Sequence, residues 1–297
     1  MSAPLRGIVA YPITPFTDAN RVDERLLAKL VDDMLAAGVH ALAPLGSTGV
    51  LPYLTDDERE AVAEIVVKRV AGRVPTLVGV SSLTTERTVH HARHAERVGA
   101  SAVMIIPMSY WKLTDDEIVA HYDAVAGAIS IPVAVYNNPA TGGLDLGPDT
   151  IARLLRIPNV TMVKESTGDV NRMHRLVQLC GEDVAFYNGS NPLALAALVA
   201  GARGWCTAAP HVIPRLNLEL YEAVRRGDLD GARRSFYRQL PFLQFIVAHG
   251  LPRAIAAALE LTGTRVGPLR APLRPLARER VEELRKILVD LRVLPAA

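Results

Sequence analysis

Short apolar runs alternate along the chain with longer amphipathic stretches. The runs are Gly7–Ala10, Val39–Leu45, Thr76–Val80, Ala102–Ile106, Val133–Tyr136, Val160–Lys164, Val184–Tyr187 and Gly204–Thr207. They lack a regular apolar–polar alternation, as parallel strands buried on both faces do. The stretches between them have helical spacing. Leu26, Leu27, Leu30, Val31, Met34 and Leu35 form one apolar stripe. Thr55 with Glu58, and Thr114 with Glu117, have the spacing of capping boxes. Asn191-Pro192 resembles an N-cap followed by proline at the first helical position. Gly38, Gly72, Gly99 and Gly201 each fall after a helix and before a strand, where a left-handed C-terminal cap is useful.

Strict strand–helix alternation implies a parallel sheet. The pattern fits a closed barrel or an open doubly wound sheet, and eight units favour the (β/α)₈ barrel. Residues 1–226 make up this barrel, and 227–297 read as a C-terminal helical extension packed on it.

Composition narrows the function classes. The 297 residues carry 33 basic and 31 acidic side chains, a net charge of +2 that steers toward neither nucleic acid nor an anionic membrane. No apolar stretch reaches ~18 residues, so no spanning helix is expected. The N-terminus lacks the pattern of a signal peptide. Cys180 and Cys206 form neither a metal spacing nor a disulfide framework, which suits a cytoplasmic setting.

Barrel chemistry belongs where strands end. Lys164 ends the apolar run Val160–Val163. An ammonium buried among apolar residues is costly, so such a position favours the neutral amine, which can attack a carbonyl. The alternative is a lysine paired with neighbouring Glu165. Tyr136 ends the fifth run, where its phenol could transfer protons or simply pack inward. Gly46-Ser47-Thr48-Gly49 follows the second run; two glycines, free amides and two hydroxyls suit a carboxylate, though a plain turn has the same composition. A barrel would converge all three on one mouth.

These motifs, with Thr14-Pro15, Tyr136-Asn137-Asn138-Pro139 and Val163-Lys164-Glu165-Ser166-Thr167-Gly168, resemble the dihydrodipicolinate synthase and N-acetylneuraminate lyase family of class I aldolases. The resemblance implies that Lys164 forms an imine with pyruvate or another 2-oxo acid, without a cofactor. It implies that Tyr136 is the general acid/base and that Ser47 and Thr48 bind the carboxylate. Thr48 would also pass protons to Tyr136. Gly189 and Cys206 would line the pocket, and Tyr110 would be contributed across a subunit interface. It further implies a homo-oligomer, a dimer or a tetramer.

The chain also departs from the family pattern. Val50 replaces an acidic loop residue, and Leu51-Pro52 replaces small polar ones. The segment Pro107–Lys112 is one residue longer. Ala140-Thr141-Gly142 lacks the arginine that holds the carboxylate of aspartate semialdehyde. The missing arginine favours an aldolase, or a dehydratase or deaminase, acting on a 2-oxo-3-deoxy sugar acid or a hydroxyproline-derived substrate over 4-hydroxy-tetrahydrodipicolinate synthesis. A non-catalytic 2-oxo-acid-binding barrel is the reading from another class.

Other residues read as structural. His90 and His94 share a helix face, but no Glu or Asp ligand pattern accompanies them, so no metal site is expected. Cys206 has no histidine base beside it in sequence. Trp111 and Trp205 read as packing or interface residues. Asp56-Asp57-Glu58 and Asp115-Asp116-Glu117 read as helix-start charges.

Overall fold

The computed structural model describes residues 5–295. Its barrel strands and helices follow in order: β1 (Gly7–Ala10), α1 (Glu24–Ala37), β2 (Ala41–Leu42), α2 (Asp56–Val70), β3 (Leu77–Gly79), α3 (Thr85–Arg97), β4 (Ala102–Ile105), α4 (Asp115–Ala126), β5 (Val133–Asn137), α5 (Pro139–Gly142), α6 (Pro148–Leu154), β6 (Val160–Glu165), α7 (Val170–Cys180), β7 (Phe186–Asn188), α8 (Ala194–Val199), β8 (Gly204–Thr207) and α9 (Pro214–Arg225). Then come α10 (Leu229–Ala248), α11 (Leu251–Leu261) and α12 (Arg278–Asp290).

All eight strands are parallel, and sequence neighbours are spatial neighbours, with β8 beside β1. The ring closes between β2 and β3 through a parallel bridge from Leu42 to Thr76. There Leu42 N–H donates to the Pro75 carbonyl at 3.1 Å, and Gly79 N–H to the Pro44 carbonyl at 3.0 Å. A doubly wound sheet would reverse its strand order at a switch point; this one does not. Strand side chains are buried almost throughout, because helices cover the outside and side chains fill the inside.

Local signals act as the sequence predicts at most helix ends. Thr55 and Glu58 exchange both capping-box bonds, as do Thr114 and Glu117. Gly38, Gly72, Gly99 and Gly201 all have positive φ. Asn191 differs. It opens a one-turn 3₁₀ segment, Asn191–Leu193, without a side-chain cap bond. Its Oδ1 is drawn inward instead, to the buried indole N–H of Trp205 at 3.0 Å.

The C-terminal helices lie against the barrel. Gln239 of α10 donates to the Leu216 carbonyl at 3.0 Å, and Asn217 of α9 donates to Gln239 at 2.7 Å. Arg270 bridges to Glu58, to the Asn20 and Tyr53 carbonyls, and over the Phe16 ring. Gly267 allows this approach, since a Cβ there would fall 1.7 Å from the Phe16 carbonyl oxygen.

Candidate active site

Register builds the site. In the β5–β6 pair Tyr136 lies opposite Lys164 and Asn137 opposite Glu165. Successive strand residues face opposite sides. Tyr136 and Lys164 therefore share the interior, while Asn137 and Glu165 share the outer face under the helices.

Lys164 is 6% exposed. Its Nζ lies 3.8 Å from the Tyr136 ring centroid and 4.0 Å from that of Tyr11. Among the described residues no carboxylate comes within ion-pair distance of this Nζ. Glu165 does not pair with it. That carboxylate points outward, accepting from Asn137 Nδ2 at 3.0 Å and Thr167 N–H at 2.7 Å, with Arg172 at 3.7 Å. Arg172 also clasps Asp145, and Asn137 Oδ1 accepts from Leu146 N–H at 3.0 Å. This bracket ties together the ends of the two strands that carry Tyr136 and Lys164.

The Tyr136 hydroxyl accepts from Asn138 Nδ2 at 2.8 Å and lies 3.4 Å from Ser47 Oγ. Burial raises the phenol's pKa, but the Lys164 charge and the hydrogen bonds with Asn138 and Ser47 outweigh it. The net direction is below the ordinary tyrosine value. Tyr11 goes the other way: burial, then the Cys206 thiol, pushes it well above. The two rings facing Lys164 thus differ in proton-transfer ability.

The Gly46–Gly49 turn sits at the same mouth. The Tyr11 ring packs on Gly46, where a Cβ would approach to 2.5 Å. The Gly49 carbonyl accepts from Thr14 Oγ1 at 2.8 Å. Val50 takes the left-handed conformation at φ 50°. Among the described residues, the amides of Ser47 and Thr48 meet no protein acceptor, which leaves them free for an anion. Thr48 is buried, but the hydroxyl within reach of Tyr136 is that of Ser47.

Gly189 closes the opposite wall. A Cβ there would fall 1.8 Å from Ser166 Oγ and 2.8 Å from Lys164 Cε. The Ser166 hydroxyl is buried without a partner among the described residues. Cys206 lies inside β8 near Tyr11, and burial pushes its thiol above the ordinary value, only partly offset by Lys164 and Tyr11. That favours a protonated thiol over a nucleophile.

Tyr110 is not part of this cluster. It is 90% exposed, edge-on to Trp111, which is itself exposed. The sequence motif Tyr136–Pro139 contains Asn138 without giving it a role, and Tyr11 has no role there either. The signal that could have found Tyr11 is its place directly after the apolar run Gly7–Ala10 that forms β1. His211 was missed: its Nε2 accepts from Ile13 N–H at 2.9 Å, holding the loop after β1 that follows Tyr11. Burial drives that imidazole down to about 3.

His90 and His94 do meet carboxylates, contrary to the expectation from spacing. Glu60 of α2 reaches His90 at 2.7 Å and His94 at 3.6 Å, because α2 packs against α3. Arg97 and Arg59 flank the same seam.

The pattern of the dihydrodipicolinate synthetase family matches residues 4–291. The chain is 34% identical over 285 residues to 4-hydroxy-tetrahydrodipicolinate synthase of Methanospirillum hungatei, covering 95% of this chain and 98% of that protein. It is 35% identical over 288 residues to the enzyme of the same name from Acidiphilium cryptum, covering 97% and 99%. A solved structure from Pseudomonas aeruginosa, provisionally labelled a dihydrodipicolinate synthetase, is 52% identical with a TM-score of 0.95, covering 98% of this chain and all of that one. Dihydrodipicolinate synthase from Thermotoga maritima superposes with a TM-score of 0.93 at 30% identity, covering 98% and 100%. By sequence and by structure, this chain belongs to the dihydrodipicolinate synthetase family.

Proposed function

We propose that the protein is a Schiff-base lyase acting on pyruvate or a related 2-oxo acid. The observation that carries this reading is the Lys164 amine, buried between the Tyr11 and Tyr136 rings and, among the described residues, without a carboxylate partner. Such an amine is free to attack a carbonyl carbon. Lys164 Nζ adds to C2 of the 2-oxo acid and water leaves. The resulting iminium draws electrons from C3, so a C3 proton, or a carbon–carbon bond at C3, can break. Tyr136 carries the protons. Ser47, Thr48 and their free amides take the carboxylate. Gly189 and Cys206 line the pocket.

Borohydride reduction in the presence of pyruvate, followed by peptide mass analysis, tests the reading. The expected result is a reduced pyruvyl adduct on Lys164; folded protein that stays unlabelled there defeats the mechanism.

As the 2-oxo acid we favour a 2-oxo-3-deoxy sugar acid, cleaved at C3–C4 to pyruvate and an aldehyde. Ser166 offers an unpaired hydroxyl beside Lys164, and Ala140-Thr141-Gly142 offers no cation. The second reading is condensation of pyruvate with aspartate semialdehyde, which the names of the relatives favour. Consumption of pyruvate with each aldehyde, and cleavage of each sugar acid, separates the two.

We further infer a cytoplasmic homo-oligomer, a dimer or tetramer, with 227–297 as an extension of the 1–226 barrel. The exposure of Leu83, Tyr110 and Trp111 supports this reading. The Arg270 and Gln239 contacts support the extension. No helix among the described residues is long and apolar enough to cross a membrane.

A further inference from the structure

We propose that Asn138 is a positioning residue for Tyr136, its side-chain amide fixing where the phenolic proton points and steadying the phenolate between proton transfers. The proposal rests on the imine reading above.

The local structure gives the first reason. Asn138 is the N-cap of α5, followed by Pro139 at the first helical position. Asparagine is among the best N-caps because its side-chain oxygen accepts from the first free amides. Asn138 makes no such bond. The amides of Thr141 and Gly142 turn instead to its backbone carbonyl, at 3.1 and 2.8 Å. Its side chain is turned to Tyr136, with Nδ2 2.8 Å from the phenol oxygen.

The chemistry gives the second. A carboxamide nitrogen only donates. The proton on Tyr136 therefore points away from Asn138, toward Ser47 at 3.4 Å or toward a ligand above Lys164. When the phenol releases that proton, the Asn138 bond becomes charge-assisted and strengthens. Lys164 covers the ring face at 3.8 Å, so the three groups hold the phenol from three sides.

The test needs pyruvate alone, with no second substrate. An imine that opens to the enamine exchanges the C3 hydrogens of pyruvate for deuterium in D₂O, which proton NMR follows. Asn138→Leu should slow exchange about tenfold to a hundredfold, with the KM for pyruvate little changed. The limb of the pH profile set by the phenolate should move to higher pH, by about one unit. Asn138→Asp, which accepts instead of donating, should be at least as slow. The effect should also vanish when Tyr136 is absent: Asn138→Leu/Tyr136→Phe should exchange no more slowly than Tyr136→Phe.

An unchanged rate and profile in Asn138→Leu overturns the proposal. So does an additive loss in the double variant, the mark of a merely structural role. Wild-type protein that neither exchanges pyruvate nor labels at Lys164 defeats the imine reading itself, and the proposal with it.

Discussion

Adding one carbon at Gly189 probes how tightly the lysine is held. In Gly189→Ala the new Cβ meets Ser166 Oγ at 1.8 Å and Lys164 Cε at 2.8 Å, where ordinary contact begins at 3.4 Å. Ser166 can relieve its share by turning its hydroxyl. Lys164 cannot do so easily, because aromatic rings lie at 3.8 and 4.0 Å from its Nζ. Overpacking of this kind costs about 1–3 kcal/mol of stability. A displacement approaching 1 Å at the reacting atom costs on the order of a hundredfold in rate. The expected outcome is a folded protein, destabilised by about 2 kcal/mol in urea titration. Its pyruvate exchange and Lys164 labelling should slow about a hundredfold. Ser166→Gly in the same chain removes the closer clash and leaves the one with Lys164. Stability should then recover while exchange stays slow. Wild-type exchange in Gly189→Ala would refute the claim that Lys164 has no room to yield beside Gly189.

Three further outcomes follow from other parts of the molecule. Glu165→Ala leaves the Asn137 amide, the Thr167 N–H and Arg172 without their shared acceptor; it should cost about 3 kcal/mol by urea midpoint and slow exchange as the strand ends loosen. His91 is held neutral down to about 4 by burial, then by the Arg59 charge, against an ordinary 6.5. The unfolded chain therefore binds an extra proton between those values, so stability falls as pH is lowered through that window, by about 3 kcal/mol in all; His91→Gln should flatten that slope in thermal melts across it. Thr114→Ala removes the α4 capping box and should cost about 1 kcal/mol while leaving pyruvate exchange unchanged.

Much of the site was legible without coordinates because its parts are local. Lys164, Tyr136 and the Ser47-Thr48 turn each end an apolar run, and strand ends are where a barrel puts chemistry. The departures were harder to read. Asn191 looked like a helix cap because its neighbour is proline, yet a buried indole N–H outbid the local amides. Glu165 looked like a partner for Lys164 because it is adjacent, yet adjacency in a strand means opposite faces.

The sequence by itself determined the strand and helix order, most of the caps, and the residue types at the strand ends. Those are properties of periodicity and of bonds spanning a few residues. Tertiary structure alone decided which groups face one another. It set Tyr11 against Lys164 across the barrel and turned Asn138 and Ser47 onto one phenol. It also brought Glu60 to two histidines on the next helix. Such contacts depend on ring closure and strand register, which set distances between residues far apart in the chain and leave no periodic trace in it.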